Sequence, residues 1–177
     1  ATQREGILKI SAEPEDDSDF TVVKSSQPIT EFITFGDSLA DVGNLFLTLD
    51  FLNIPTSPAY SDGRLSNGKL VPEIIAEELG ISASTPSIVG GNNYAFVGAK
   101  AGFEVSSASD SLAPSVGEQI TEYLNENQPK STDVFFISAG SNDLADIENS
   151  GIPTEETVVT AVDSFTQNIT TLADKGE

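Results

Sequence analysis

Three short stretches of this chain carry residue types whose spacing could do chemistry. They are Gly36-Asp37-Ser38 inside FGDSLADVGN (35–44), Gly98 inside NYAFVGA (93–99), and Ser141-Asn142 inside GSND (140–143). A serine hydroxyl can attack a carbonyl carbon if a base takes its proton. Ser38 follows the apolar run Phe32-Ile33-Thr34-Phe35 and precedes a turn rich in Asp, Gly and Asn. It therefore sits where a buried strand ends and a helix or tight turn begins. Backbone N–H groups at such a start are unpaired and point outward, which suits an exposed nucleophile and equally suits a helix cap. Likewise Gly98 can be a strand-end turn and Asn142 an Asx-turn residue. Each stretch alone leaves both readings open.

The elements that must position these residues follow from hydrophobic period and turn residues. Residues 31–36 read as a strand ending at Gly36, Tyr94–Val97 as a second ending at Gly98, and Val134–Ile137 as a third running into Ala139-Gly140-Ser141-Asn142-Asp143. The segment 45–52 has a period ambiguous between helix and strand. A loop marked by Pro55, Pro58, Gly63 and Gly68 carries Tyr60 and Arg64. A helix follows with Leu70, Val71, Ile74, Ile75 and Leu79 on one face, Pro72 in its first turn and Gly80 as its stop. Ser115 and Glu118 form a capping box for a helix bearing Val116, Ile120, Tyr123 and Leu124. Thr154 caps a last helix, with Glu155 and Glu156 near its positive end and a stripe of Val158, Val162, Phe165, Ile169 and Leu172. Strand and helix alternate, which is the signature of a parallel sheet covered on both faces. Sites in such sheets form beyond the carboxyl ends of the strands, so all three stretches can face one crevice.

Composition bounds the rest. The 177 residues are the size of one domain, with 28 Asp+Glu against 8 Lys+Arg and a net charge of −20. That field repels nucleic acid and anionic membrane surfaces. No run is long enough for a transmembrane segment, and no charged-then-apolar leader opens the sequence, so a signal peptide is either already removed or absent. Cysteine is absent, which excludes thiolate nucleophiles, disulfides and Cys-based zinc sites and is compatible with secretion. Histidine is absent too, so no side chain has an ordinary pKa near neutrality. Residues 1–29 read as an acidic N-terminal extension. Within it Glu13-Pro14-Glu15-Asp16-Asp17-Ser18-Asp19 is a solvated charge run without the ligand alternation or central glycine of an EF-hand. Ile7–Ile10 and Phe20–Val23 are weak strand candidates. Asn168-Ile169-Thr170 fits a glycosylation acceptor, but on a helix.

Taken in order, FGDSLADVGN, NYAFVGA and GSND resemble the GDSL family of lipases and acylhydrolases, also called SGNH hydrolases. GRLSNGKLVPEIIAEELG (63–80) resembles the variable loop and helix of the longer plant, fungal and autotransporter members. The resemblance spans roughly residues 31–177, and the ordered set is more specific than any one block. It implies a three-layer α/β/α fold with a parallel sheet, of flavodoxin-like kind, in which residues 30–177 form the N-terminal part of the hydrolase domain. It further implies that Ser38 is the nucleophile of a serine esterase or lipase, that the Ser38 N–H, the Gly98 N–H and the Asn142 amide form an oxyanion hole, and that no metal or organic cofactor takes part. The substrate would be a small-molecule or lipid ester. The physics agrees. Attack on an ester builds negative charge on one oxygen, and rigid donors aimed there lower the barrier. Asp37, Asp41, Gly43 and Asn44 read as supports of the serine loop. Rival motifs fit poorly: Ala40 stands where G-x-S-x-G needs glycine, and no P-loop or Rossmann glycine pattern follows the first strand.

One family block is missing. The Asp-x-x-His that supplies the base and its orienting acid has no counterpart in a chain without histidine. Truncation is the expected reason, since the Ser38-to-Asn142 spacing is that of the longer members. A Lys100 base would need burial to lose its proton. Phe51 and Tyr60 are acyl-site candidates or ordinary packing. A non-catalytic binding module on the same scaffold is the alternative.

Overall fold

The structure is a computed structural model, and it describes residues 28–49, 61–102, 113–150 and 155–176. Ile7–Ile10, Phe20–Val23, the 13–19 charge run, Phe51, Tyr60 and Thr154 lie outside the described residues. Strand β1 (Glu31–Gly36) pairs in parallel with β2 (Asp133–Ser138), in a register that sets Phe35 opposite Ile137 and Gly36 opposite Ser138. Both strands fall where the apolar runs place them. After Glu31, every residue of β1 is buried, alternating side chains notwithstanding. Such two-sided burial explains its continuous Phe-Ile-Thr-Phe run.

The expected strand at Tyr94–Val97 takes another form. It is an extended segment joined to β1 by a single bridge, Thr34 to Asn93, and by bonds from Tyr94 N–H to the Thr34 carbonyl (2.8 Å) and Phe96 N–H to the Gly36 carbonyl (2.9 Å). The run is too short for a full ladder, because its chain turns at Val97-Gly98. Even so, β1 lies between this segment and β2.

One face of β1 builds the core. Phe35 stacks near Phe135 (ring centroids 6.2 Å) and meets Tyr94 (5.5 Å) and Tyr123 (5.7 Å), with Ile33, Val116, Ile120 and Leu172 around them. The edge-to-face contact with Tyr123 adds to what area burial supplies. Burial pushes the Tyr123 hydroxyl up to about 12. On the opposite face Phe32 meets Phe136 at 6.2 Å.

The helices are α1 (Asn44–Leu49), α2 (Val71–Leu79), α3 (Val116–Glu126), α4 (Ser141–Ser150) and α5 (Glu155–Lys175). Helix α2 stops at Gly80, which adopts a left-handed φ of 71°. Its buried face is only partly the expected one. Leu70 is buried and Ile75 and Leu79 are half-buried, but Val71 and Ile74 are exposed, while Pro72, Glu73 and Ala76 are buried. The cause is Glu73, which accepts two hydrogen bonds from Arg64 (2.7 and 2.8 Å) and one from the Leu70 N–H (2.8 Å). That ion pair turns α2 toward the 61–70 loop. Burial alone would raise the Glu73 carboxyl, but those hydrogen bonds outweigh it and leave it below the usual glutamate range.

Helix α3 carries the capping box between Ser115 and Glu118. Helix α4, where the apolar pattern points to no helix, starts directly at Ser141. In α5 the expected stripe buries only Leu172. Val158, Val162 and Ile169 are exposed and Phe165 is half-buried. Val158, Val162 and Phe165 line an open apolar cleft of about 250 Å³ with Leu144 and Gly140, and α5 instead buries Asn168 beside Leu172.

Two stability predictions follow from these contacts. A Cβ at Gly36 would approach the Ser138 carbonyl oxygen to 2.5 Å, so Gly36→Ala forces β1 from β2 and costs about 1–3 kcal/mol by urea denaturation. Arg64→Ala strands a largely buried carboxylate and costs about 2 kcal/mol at neutral pH. Because the folded Glu73 pKa is depressed, that deficit is full above the ordinary glutamate range and shrinks as pH falls through it toward the folded value.

Candidate active site

Three parallel segments end at one level. The Gly36 carbonyl accepts from Phe96 N–H, and Asp37 N–H donates to the Ser138 carbonyl (3.1 Å). Two residues beyond Gly36 is Ser38, two beyond Phe96 is Gly98, and four beyond Ser138 is Asn142. The sequence-predicted site residues are thus brought together at the carboxyl ends of neighbouring segments.

Ser38 is partly exposed in a turn closed by Ala40 and Asp41 N–H groups on the Asp37 carbonyl (both 3.0 Å). Among the described residues nothing bonds its side chain or its N–H. The capping role belongs to Asp41 instead. Its carboxylate accepts from Gly43 (2.8 Å), Asn44 (2.6 Å), Leu45 (3.1 Å) and Val97 (3.1 Å) N–H groups. Burial holds the Asp41 carboxyl above the usual range, and these four N–H groups lessen that shift without reversing it. Asp41 thereby ties the serine loop to the residue before Gly98.

Gly98 is exposed with φ of 89°, a left-handed conformation that favours glycine, and its N–H has no acceptor among the described residues. Asn142 is half-buried at the start of α4. One hydrogen of its side-chain amide goes to the Ala99 carbonyl (2.8 Å), which orients the amide and leaves a second hydrogen for a ligand. Two backbone donors and one side-chain donor without internal acceptors make a set able to receive an oxyanion.

Buried polar side chains hold these loops. Asn44 donates to the Asn93 and Ala95 carbonyls (2.8 and 2.9 Å), and Asn93 donates to the Ala40 carbonyl (2.8 Å). Gln119 embraces Gly36, accepting from its N–H (2.9 Å) and donating to its carbonyl (3.0 Å). Asn168 donates to the Ala101 carbonyl (2.7 Å) and is fully buried, which removes it as a glycosylation acceptor. Sequence reasoning finds Asp37, Asp41 and Asn44 as supports but misses Gln119 and Asn168. The available signal was a polar residue inside an otherwise apolar helix face. Lys100 is exposed, contrary to what a lysine base requires. Among the described residues no three His, Cys, Asp or Glu side chains converge as a metal site, and no helix is long and apolar enough to cross a membrane.

The chain is similar in sequence to known proteins. The family profile of the GDSL-like Lipase/Acylhydrolase matches residues 32–177. Three similar proteins, each a GDSL esterase/lipase of Arabidopsis thaliana, illustrate the kinship. One is 38% identical over 78 residues, covering 37% of this chain and 20% of the relative. The second is 30% identical over 146 residues, covering 67% and 42%, and the third 30% over 153 residues, covering 70% and 42%. The chain spans less than half the length of these curated relatives. Its three-layer α/β/α class is the family's, and the parallel pairing and flanking helices agree with it. On the match across residues 32–177, this chain belongs to the GDSL-like lipase/acylhydrolase family of hydrolases.

Proposed function

We propose that these 177 residues carry the nucleophile and the oxyanion hole of a serine ester hydrolase. The observation that carries the reading is the set of unused N–H donors at Ser38, Gly98 and Asn142 at the ends of three laterally bonded segments. Ser38 Oγ attacks the ester carbonyl carbon while its proton passes to a base, and the carbonyl oxygen takes up charge among the three donors. Collapse of that adduct expels the alcohol, which takes the proton, and leaves an acyl group on Ser38. Water then adds to the acyl carbonyl by the same route and releases the acid.

None of these residues is histidine and Lys100 is exposed, which supports a base supplied from elsewhere. We infer that a segment outside residues 1–177 supplies it, and that residues 30–177 are the N-terminal part of the hydrolase domain, preceded by an acidic extension. Substrates are carboxylic esters of small molecules or lipids.

In the protein that includes the base, Ser38→Ala abolishes fluorophosphonate labelling and lowers ester turnover by at least about 10⁴-fold. Asn142→Ala lowers kcat by about 10²–10³-fold. The 177-residue chain alone hydrolyses p-nitrophenyl acetate at background rate. Strong Ser38-dependent hydrolysis by it would overturn the assignment of the base elsewhere, and absence of labelling in the longer protein would favour a binding module.

A further inference from the structure

We propose that Ser141 and Asp143 are positioning residues, through which the first turn of α4 registers both the Ser38 loop and the Gly98 loop on Asn142. The inference rests on the acyl-transfer reading above. Beyond Gly36 and Ser138 the ladder ends and the loops part. Among the described residues no backbone hydrogen bond joins residues 98–101 to residues 37–43 or 140–143. Their relative placement falls to side chains.

Three consecutive residues of α4 do this work. Ser141 Oγ donates to Asp37 Oδ2 at 2.5 Å, while Asp37 Oδ1 accepts from the Leu39 N–H at 3.0 Å. Asp37 is buried, so this bond links the residue before Ser38 to the residue before Asn142 through a fixed carboxylate. Asn142 donates to the Ala99 carbonyl, and Asp143 Oδ2 accepts from the Ala101 N–H at 3.0 Å. Those two bonds form a clip with rungs two residues apart on the loop and adjacent on the helix. One side of the turn thus holds the nucleophile and the other holds the glycine donor.

Oxyanion donors act only when their spacing matches the developing charge, and small misplacements cost rate steeply. Ser141 and Asp143 touch no reacting atom in this scheme. Their effect is on geometry, so a hydroxyl at 141 and any acceptor oxygen at 143 should suffice.

The test compares steady-state hydrolysis of a p-nitrophenyl ester by variants of the protein that includes the base. Ser141→Ala and Asp143→Ala lower kcat by about 10- to 100-fold with KM within about twofold, whereas Ser141→Thr and Asp143→Asn keep kcat within about threefold of the parent. In the 177-residue chain, Asp143→Ala speeds amide exchange at Ala101 about tenfold without loosening β1 or α3. An active parent whose alanine variants keep their kcat overturns the proposal alone. Loss of protection throughout β1 and α3, or failure of both conservative variants to restore kcat, also overturns it by marking a general structural role. A parent that turns over no ester overturns the underlying acyl-transfer reading.

Discussion

At Gly36 three pieces of chain come within hydrogen-bond distance of one residue, and the loops beyond depend on that closeness. Its N–H and carbonyl are both held by the buried Gln119 amide, the carbonyl also accepts from Phe96, and the Ser138 carbonyl lies where a side chain would stand. A buried amide costs free energy unless its donors and acceptor are all used. Gln119 uses them on Gly36 and on the Pro114 carbonyl. The strand end is therefore held from above as well as from both sides, and Ser38 leaves it from a defined height.

Past that point the peptide groups no longer have a sheet to satisfy them. Backbone groups at the loops still need partners when buried, and Asp41, Asn44, Asn93 and Asn168 supply them. Asp41 shows the balance most plainly: desolvation opposes its charge and leaves its pKa raised, and four N–H groups offset only part of that cost. The same bonds connect loops that are distant in sequence, Asn44 with residues 93–95 and Asn168 with residue 101. A site whose task is to hold unpaired donors in place benefits from such polar scaffolding, since apolar packing alone does not fix the direction of a peptide N–H.

The elements best read from sequence are those specified locally. Phe32–Phe35 and Val134–Ile137 are apolar runs with turn residues after them, and Ser115-x-x-Glu118 is a cap whose partners are three residues apart. Helix faces were less legible. The apolar period in 70–79 points to Val71 and Ile74, yet a pair between Arg64 and Glu73 turns a different face inward. In α5 the stripe 158–169 borders an open cleft, while the buried positions include Asn168, which an apolar pattern cannot nominate.

By itself the sequence determined that Ser38, Gly98 and Asn142 follow apolar runs, that their blocks occur in one family's order, and that no histidine accompanies them. These are matters of residue type and local spacing. Only the tertiary structure decided that Asp41, and not Ser38, caps the turn, that 93–96 pairs with β1 through a lone bridge, and that Ser141, Asn142 and Asp143 reach the loops on either side. Those outcomes depend on bonds between residues up to 104 positions apart, whose geometry is set by how the segments pack.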